Sequence, residues 1–233
     1  MAAVGEIAGL ASGAGGNMTI QNSSSATLVN NGTITNTGSY SMTNLNSTST
    51  ANFVNQGTLN FAGGSYTFGS SGYVQTGGSL TVQPGTQLTG NVNINGGALL
   101  GFANINGNLN VSGGRIVPGS SPGLMTVSGD LNLDANSIVD IEIASNGGMR
   151  GTDFDCIIVQ GNANLAGQLN LRDISGGTLV PGGQYAFLEA SSFNMTSFDG
   201  VSVFPLSSAY TFSSPVIADT TNGQLPIQQM STS

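Results

Sequence analysis

Histidine, lysine and tryptophan are missing from these 233 residues, and cysteine occurs once, at Cys156. From Ile7 to Gly114 no side chain carries a charge of either sign. An ordinary soluble domain has about a quarter of its residues charged, so this stretch depends on Asn, Gly, Ser and Thr for its solubility. Without histidine, Ser-His-Asp and Cys-His catalysis and histidine-ligated zinc are excluded. A single cysteine excludes an internal disulfide framework. Within Phe154-Asp155-Cys156-Ile157-Ile158-Val159 it reads as a buried, inert thiol with no base to activate it.

Cations are nearly as scarce. Arg115, Arg150 and Arg172 stand against eleven acids, for a net charge of −8. Nucleic-acid binding draws its affinity from clustered Lys and Arg on phosphates, and attraction to anionic membranes has the same origin; nucleic acid is excluded as a partner and an anionic membrane surface is disfavoured. No run of eighteen apolar residues is present, so no membrane-inserting helix is expected. Met1 to Gly16 is small and apolar but lacks the basic start of a secretory leader. Export then uses either a leader removed before Met1 or another route.

What the chain does have is glycine, 36 of them, and short runs of alternating apolar and polar residues. Thr58-Leu59-Asn60-Phe61, Ser79-Leu80-Thr81-Val82, Asn91-Val92-Asn93-Ile94 and Asn108-Leu109-Asn110-Val111 are examples. Period-two alternation puts the apolar side chains on one face of a strand. The punctuation repeats as Gly-x-apolar at Gly32, Gly57, Gly78, Gly97 and Gly114, with spacings of 25, 21, 19 and 17 residues. A period near twenty built from strands and sharp turns is the pattern of a solenoid.

The expected fold is therefore all-β: a single-stranded parallel β-helix (β-solenoid) with coils of about 20 residues. Coils stack at about 4.8 Å, so identical outward positions form ladders. Two like charges so placed repel by up to roughly 3 kcal/mol at an effective dielectric near 20, whereas asparagines hydrogen-bond along the stack. The missing charges thus acquire a physical reason, and glycine supplies the positive φ of tight corners. A β-sandwich is the rival fold, but it usually guards its edge strands with lysine. The expected organisation is a flexible or capping segment over 1–16, a solenoid over 17–200 and a cap or tail over 201–233.

From Gly113 the chain carries charge again, with longer apolar-rich segments at Ser137 to Ala144, Asp153 to Gln160, Gln168 to Arg172 and Gln184 to Ala190. Gly113-Gly114-Arg115-Ile116-Val117-Pro118-Gly119-Ser120-Ser121-Pro122-Gly123 precedes Met125-Thr126-Val127-Ser128-Gly129-Asp130-Leu131-Asn132-Leu133. Together with Asp153-Phe154-Asp155 and Ala163-Asn164-Leu165-Ala166-Gly167-Gln168-Leu169, these residues resemble the passenger-associated repeats of autotransporters and related bacterial surface proteins. The resemblance covers about residues 96–190. It implies a right-handed parallel β-helix displayed on the bacterial cell surface or released outside it.

Candidate chemistry is sparse, and no catalytic or cofactor-binding residue is assigned. Asp153 and Asp155 lie two apart, as if on one strand face, and paired acids hydrolyse glycosides in some β-helices. Nothing basic except Arg150 stands nearby to hold a substrate. The same acids are weak calcium candidates, because Gly147-Gly148-Met149-Arg150-Gly151-Thr152-Asp153 is similar to a calcium-binding nonapeptide. It has one residue too many and occurs once, and calcium sites of that type need neighbouring turns. Asn-x-Ser/Thr triplets, at Asn17, Asn46, Asn110 and Asn194 among others, follow from the composition. Of the aromatics, Tyr40, Phe53, Phe61, Tyr66, Phe68, Tyr73 and Phe102 are expected mostly in the core, while an exposed aromatic ladder would suit glycans.

The expected function is mechanical: a secreted subunit that self-associates head to tail into an extracellular fibre, sheath or surface layer, since unprotected coil ends are templates for pairing. The alternative is a surface adhesin whose partners are cell-surface glycans or host surfaces. An enzyme acting on polysaccharide ranks third.

Overall fold

Alternating side chains demand strands, and strands with one apolar face demand a partner for it. In the computed structural model every regular element among the described residues is a strand. The structure describes residues 4–11, 18–22, 27–36, 40–44, 52–61, 64–68, 72–119, 122–177, 179, 182–194, 196–204, 210–212 and 223–231, with side chains from residue 54 onward except at 64, 65, 67, 210–212 and 225–231.

The first coils hold β1 (Val4–Ala11), β2 (Met18–Asn22), β3 (Thr27–Asn36), β4 (Tyr40–Asn44), β5 (Asn52–Asn55), β6 (Thr58–Phe61) and β7 (Gly64–Thr67). The middle holds β8 (Tyr73–Val82), β9 (Thr86–Thr89), β10 (Val92–Gly101), β11 (Asn104–Asn106), β12 (Leu109–Val111), β13 (Arg115–Pro118) and β14 (Leu124–Val127). Then come β15 (Leu131–Leu133), β16 (Ile138–Ile143), β17 (Cys156–Val159), β18 (Ala163–Asn164), β19 (Gln168–Asp173), β20 (Gln184–Glu189), β21 (Gly200–Phe204), β22 (Tyr210–Phe212) and β23 (Gln224–Ser231).

One sheet runs β1-β3-β5-β8-β10-β13-β16-β19-β21, with β6, β12, β15 and β18 attached, and the other runs β2-β4-β7-β9-β11-β14-β17-β20-β23-β22. Pairing is parallel from β1 through β21, as a β-solenoid requires. The first sheet bends into two faces. Val92–Ile94 of β10 pairs with β12, and after the bend Ala98–Leu100 pairs with β13. Each coil therefore has three faces. β1 pairs in parallel with β3, so Val4–Ala11 is a rung of the stack. At the other end β23 lies antiparallel on β20, and β22 antiparallel on β23.

The first bend explains the repeated glycine. Gly78 and Gly97 adopt φ of 62° and 72°. A Cβ on Gly97 would collide with the carbonyl oxygen of Gly78, and one on Gly78 with that of Gly57. Backbone packs directly on backbone at this corner, so only glycine satisfies both the conformation and the space.

Inward positions stack in columns. Leu59, Leu80, Leu99, Ile116, Val139 and Leu169 occupy one register position in successive coils and are at most 1% exposed. Each such burial is worth about 1.5–3 kcal/mol. Phe61, Tyr66, Phe68 and Tyr73 are buried as expected, with Phe61 and Tyr66 stacked at 3.8 Å between centroids. Phe102 is half-buried; the side chains of Tyr40 and Phe53 lie outside the described ones.

Outward, the expected amide ladder is present. Asn110 donates to Asn93 (2.8 Å), Asn132 to Asn110 (2.8 Å), Asn164 to Asn132 (2.6 Å) and Asn194 to Asn164 (2.7 Å). A second file binds backbone: the N–H groups of Asn108, Asp130 and Asn162 donate to the side chains of Asn91, Asn108 and Asp130.

Coil length is less regular than expected. Tyr73, Val92, Leu109 and Leu131 are equivalent, spaced 19, 17 and 22 residues apart, but the next equivalent, Ala163, follows after 32. The excess leaves as residues 144–155, between β16 and β17. Residues 174–183 leave at the same corner one coil later, between β19 and β20.

Candidate functional site

Both long excursions open from the corner that joins the bent sheet to the second sheet, so whatever they display is displayed together. Residues 144–155 fold around Asp153. Its carboxylate accepts hydrogen bonds from the Ser145 hydroxyl and from Met149 N–H (2.7 Å). These bonds hold its pKa below the usual carboxylate value, Ser145 contributing most. Gly148, at φ 85°, permits the reversal, and the N–H of Asp153 returns to the Met149 carbonyl at 2.7 Å. Arg150 reaches across to β20 and pairs with Glu189. Met149 is left 63% exposed at the tip.

Asp155, two residues on, is fully buried. Its Oδ1 accepts from Gly123 N–H (2.6 Å) and its Oδ2 from Glu142 N–H (2.8 Å). It thus ties the Pro122-Gly123 turn to β16. Burial pushes its pKa up to about 7; the two N–H bonds oppose this, and the neighbouring Glu142 and Asp140 add to it.

The expected sharing of one strand face by Asp153 and Asp155 is corrected here. Asp153 sits in a turn that ends before β17 begins at Cys156, so period-two alternation does not apply. One carboxylate is spent on its own loop and the other on the corner behind it. Among the described residues no three of His, Cys, Asp or Glu gather where a metal could be held. Cys156 is buried, donates to the Ala186 carbonyl at 3.5 Å and has its pKa pushed up to about 12, chiefly by burial. A thiol so placed stays protonated and unreactive.

A second feature of the same corner escaped the reading of the sequence. Arg172 and Phe204 are direct lateral partners on β19 and β21, and Glu142 flanks Arg172 from β16 on the other side. Arg172, Asp173, Ile174 and Phe204 line a shallow hollow of about 580 Å³. Phe204 is 50% exposed, and with Met149 it makes up the large exposed hydrophobics among the described residues. Arg115 pairs with Asp140 at 2.9 Å and Arg150 with Glu189, so among the described residues Arg172 is the cation outside an ion pair. Arg172 and Phe204 are 32 residues apart, and only the length of the last coils, invisible as a period, brings them together.

No protein-family model matches the chain. A 76-residue stretch, 32% of the chain, is 37% identical to the adhesin BmaC autotransporter of Brucella suis biovar 1 (strain 1330). The match spans 2% of that protein's length.

Proposed function

We propose that this chain is a non-catalytic segment of a bacterial cell-surface or secreted adhesive protein, in which a neutral β-solenoid serves as a stiff scaffold and one corner carries the contact surface. The observation that carries this reading is the placement of both long excursions, 144–155 and 174–183, at a single corner of an otherwise tightly wound coil. Amide ladders and glycine corners leave little side-chain variety on the other flanks, whereas the loop corner has charge, an exposed methionine and an exposed aromatic. Binding residues are disproportionately found on loops positioned by a rigid scaffold. The similarity to an autotransporter adhesin supports an adhesive role and an extracellular location.

The test is adhesion of the purified chain, coated on beads, to cultured epithelial cells and extracellular matrix. Saturable binding blocked by free protein is the expected result; absence of binding to either surface refutes the proposal. Protease treatment of intact source cells should remove the chain if it is surface-displayed.

A second reading, head-to-tail assembly into a fibre, would use parallel strands at the ends of the strand order: among the described residues β1, whose one charged side chain is Glu6, pairs with β3 alone. At the opposite end of the first sheet β21 ends the strand order in a parallel pairing, whereas β23 and β22 lie antiparallel on the second sheet. Fibres in negative-stain micrographs of the full chain would support this reading, and a monodisperse protein across salt and pH would end it.

A further inference from the structure

The hollow beside β19 and β21 combines features that the solenoid has no structural use for. A half-exposed phenylalanine costs solvation on a surface that is otherwise amide and hydroxyl. Next to it stands the one arginine, among the described residues, that lies outside an ion pair, in a chain with three cations in all. Asp173 completes the lining with a carboxylate whose Oδ1 is fixed by Ser175 N–H at 2.8 Å. The strand register fixes the spacing: Arg172 and Phe204 are paired rungs, about 4.8 Å apart along the stack. A phenylalanine, an arginine and an aspartate therefore line one shallow concavity.

We propose that this hollow is a binding site for a neutral pyranose, one non-reducing sugar ring of a glycan, stacked on Phe204 and hydrogen-bonded through adjacent hydroxyls to Arg172 and Asp173. The proposal rests on the adhesive reading above and names its ligand class. The apolar C–H face of the ring covers Phe204. The positive edge of those C–H groups meets the negative face of the aromatic ring. A vicinal diol both accepts and donates, so it matches a guanidinium beside a carboxylate, whereas a hydrocarbon matches neither. An acidic sugar is disfavoured by charge: Glu142 flanks Arg172, Asp173 lies in the hollow itself, and the chain carries a net −8. The hollow, about 580 Å³ and open to solvent, has room for one sugar ring. Its shallowness limits a single ring to weak binding, so useful adhesion would come from repetition along a surface.

The experiment is saturation-transfer NMR on the full chain with methyl β-D-galactopyranoside, methyl β-D-glucopyranoside and N-acetylneuraminic acid as probes, followed by titration of any that bind. Phe204→Ala, Phe204→Tyr and Arg172→Met are compared with wild type, each checked by thermal melting; Phe204 and Arg172 are surface residues, so folding is expected to be unchanged. Support is binding of a neutral pyranoside with affinity lowered about tenfold or more by Phe204→Ala and Arg172→Met and retained by Phe204→Tyr, as loss of one stacking or charged contact predicts. Three results overturn the proposal: no transfer to either neutral pyranoside, tighter binding of N-acetylneuraminic acid than of both, or neutral-sugar binding that ignores Phe204 and Arg172. Bead adhesion to cells is measured in parallel. Adhesion that persists while the sugar test fails removes this site and leaves the adhesive reading standing; failure of both removes both.

Discussion

Gly97 and Gly85 have similar backbones, φ 72° and 78°, but different surroundings. Gly97 is pressed against the backbone of Gly77 and Gly78, whereas nothing lies within reach of a Cβ on Gly85. Gly85→Ala should therefore cost only the left-handed conformation, about 1–2 kcal/mol. Gly97→Ala must also push two coils apart and should cost about 3 kcal/mol or more. Urea midpoints of the two variants measure the difference, and equal shifts would show that the corner is not close-packed. Asp155 makes a second residue-level prediction, on pH. Its folded pKa, about 7, lies above the ordinary carboxylate value, so the folded state holds the proton more tightly. The resulting stabilisation is complete below about pH 4 and is lost as pH rises through 7. Wild type should lose up to a few kcal/mol of stability over that window, at most about 1.4 kcal/mol per pH unit. Asp155→Asn, which keeps an acceptor but cannot ionise, should flatten that slope in melts run from pH 4 to 8. At this scale the corner glycines were legible because one residue type recurs for one steric reason. The divergence of Asp153 and Asp155 was not, because the turn at Gly151-Thr152 breaks the alternation on which the expectation rested.

The asparagine file is an element-scale structure whose stability belongs to no single rung. Asn132 donates to Asn110 and accepts from Asn164, and each amide in the middle of the file is used in both roles. Asn132→Asp removes the donor and sets two acceptors against each other, which should cost about 1–3 kcal/mol. Asn110→Asp with Asn132→Asp places like charges one rung apart and should add up to roughly 3 kcal/mol of repulsion. That extra loss should shrink in high salt and vanish below pH 4, and thermal melts across both conditions would show it. A double variant no worse than the sum of the single ones would deny the ladder its electrostatic logic. The charge-free composition points to this arrangement, since stacked amides hydrogen-bond to one another and stacked like charges repel; a lone carboxylate such as Asp130 is accepted between Asn108 and Asn162 because it meets backbone N–H and amide groups there. Coil length was only half legible. Period twenty holds through the neutral coils and stretches to about thirty where 144–155 and 174–183 leave the core, because a loop outside the stack contributes residues and no periodicity.

At the scale of the whole molecule, the ends decide whether a solenoid stays single. Parallel coils terminate in strands with unpaired N–H and C=O groups, and such edges recruit other strands unless they are covered. The second sheet is covered at its late end by β23, which reverses direction against β20 and hands the outer edge to β22. An antiparallel strand there cannot present the register that a further parallel coil would need, so the pair β22–β23 is expected to block growth from β20. Removing residues 205–233 should expose β20 as a parallel edge directly above a well-packed core containing Tyr185, Phe187 and Leu188. The truncated chain is expected to associate with rising concentration in sedimentation velocity and to gain thioflavin fluorescence, each more strongly than the full chain under the same conditions. Because the new edge is uncharged except for Glu189, which Arg150 already neutralises, salt should change that association little. A truncated chain that stays as monodisperse as the full one would mean that β22 and β23 are not what limits growth.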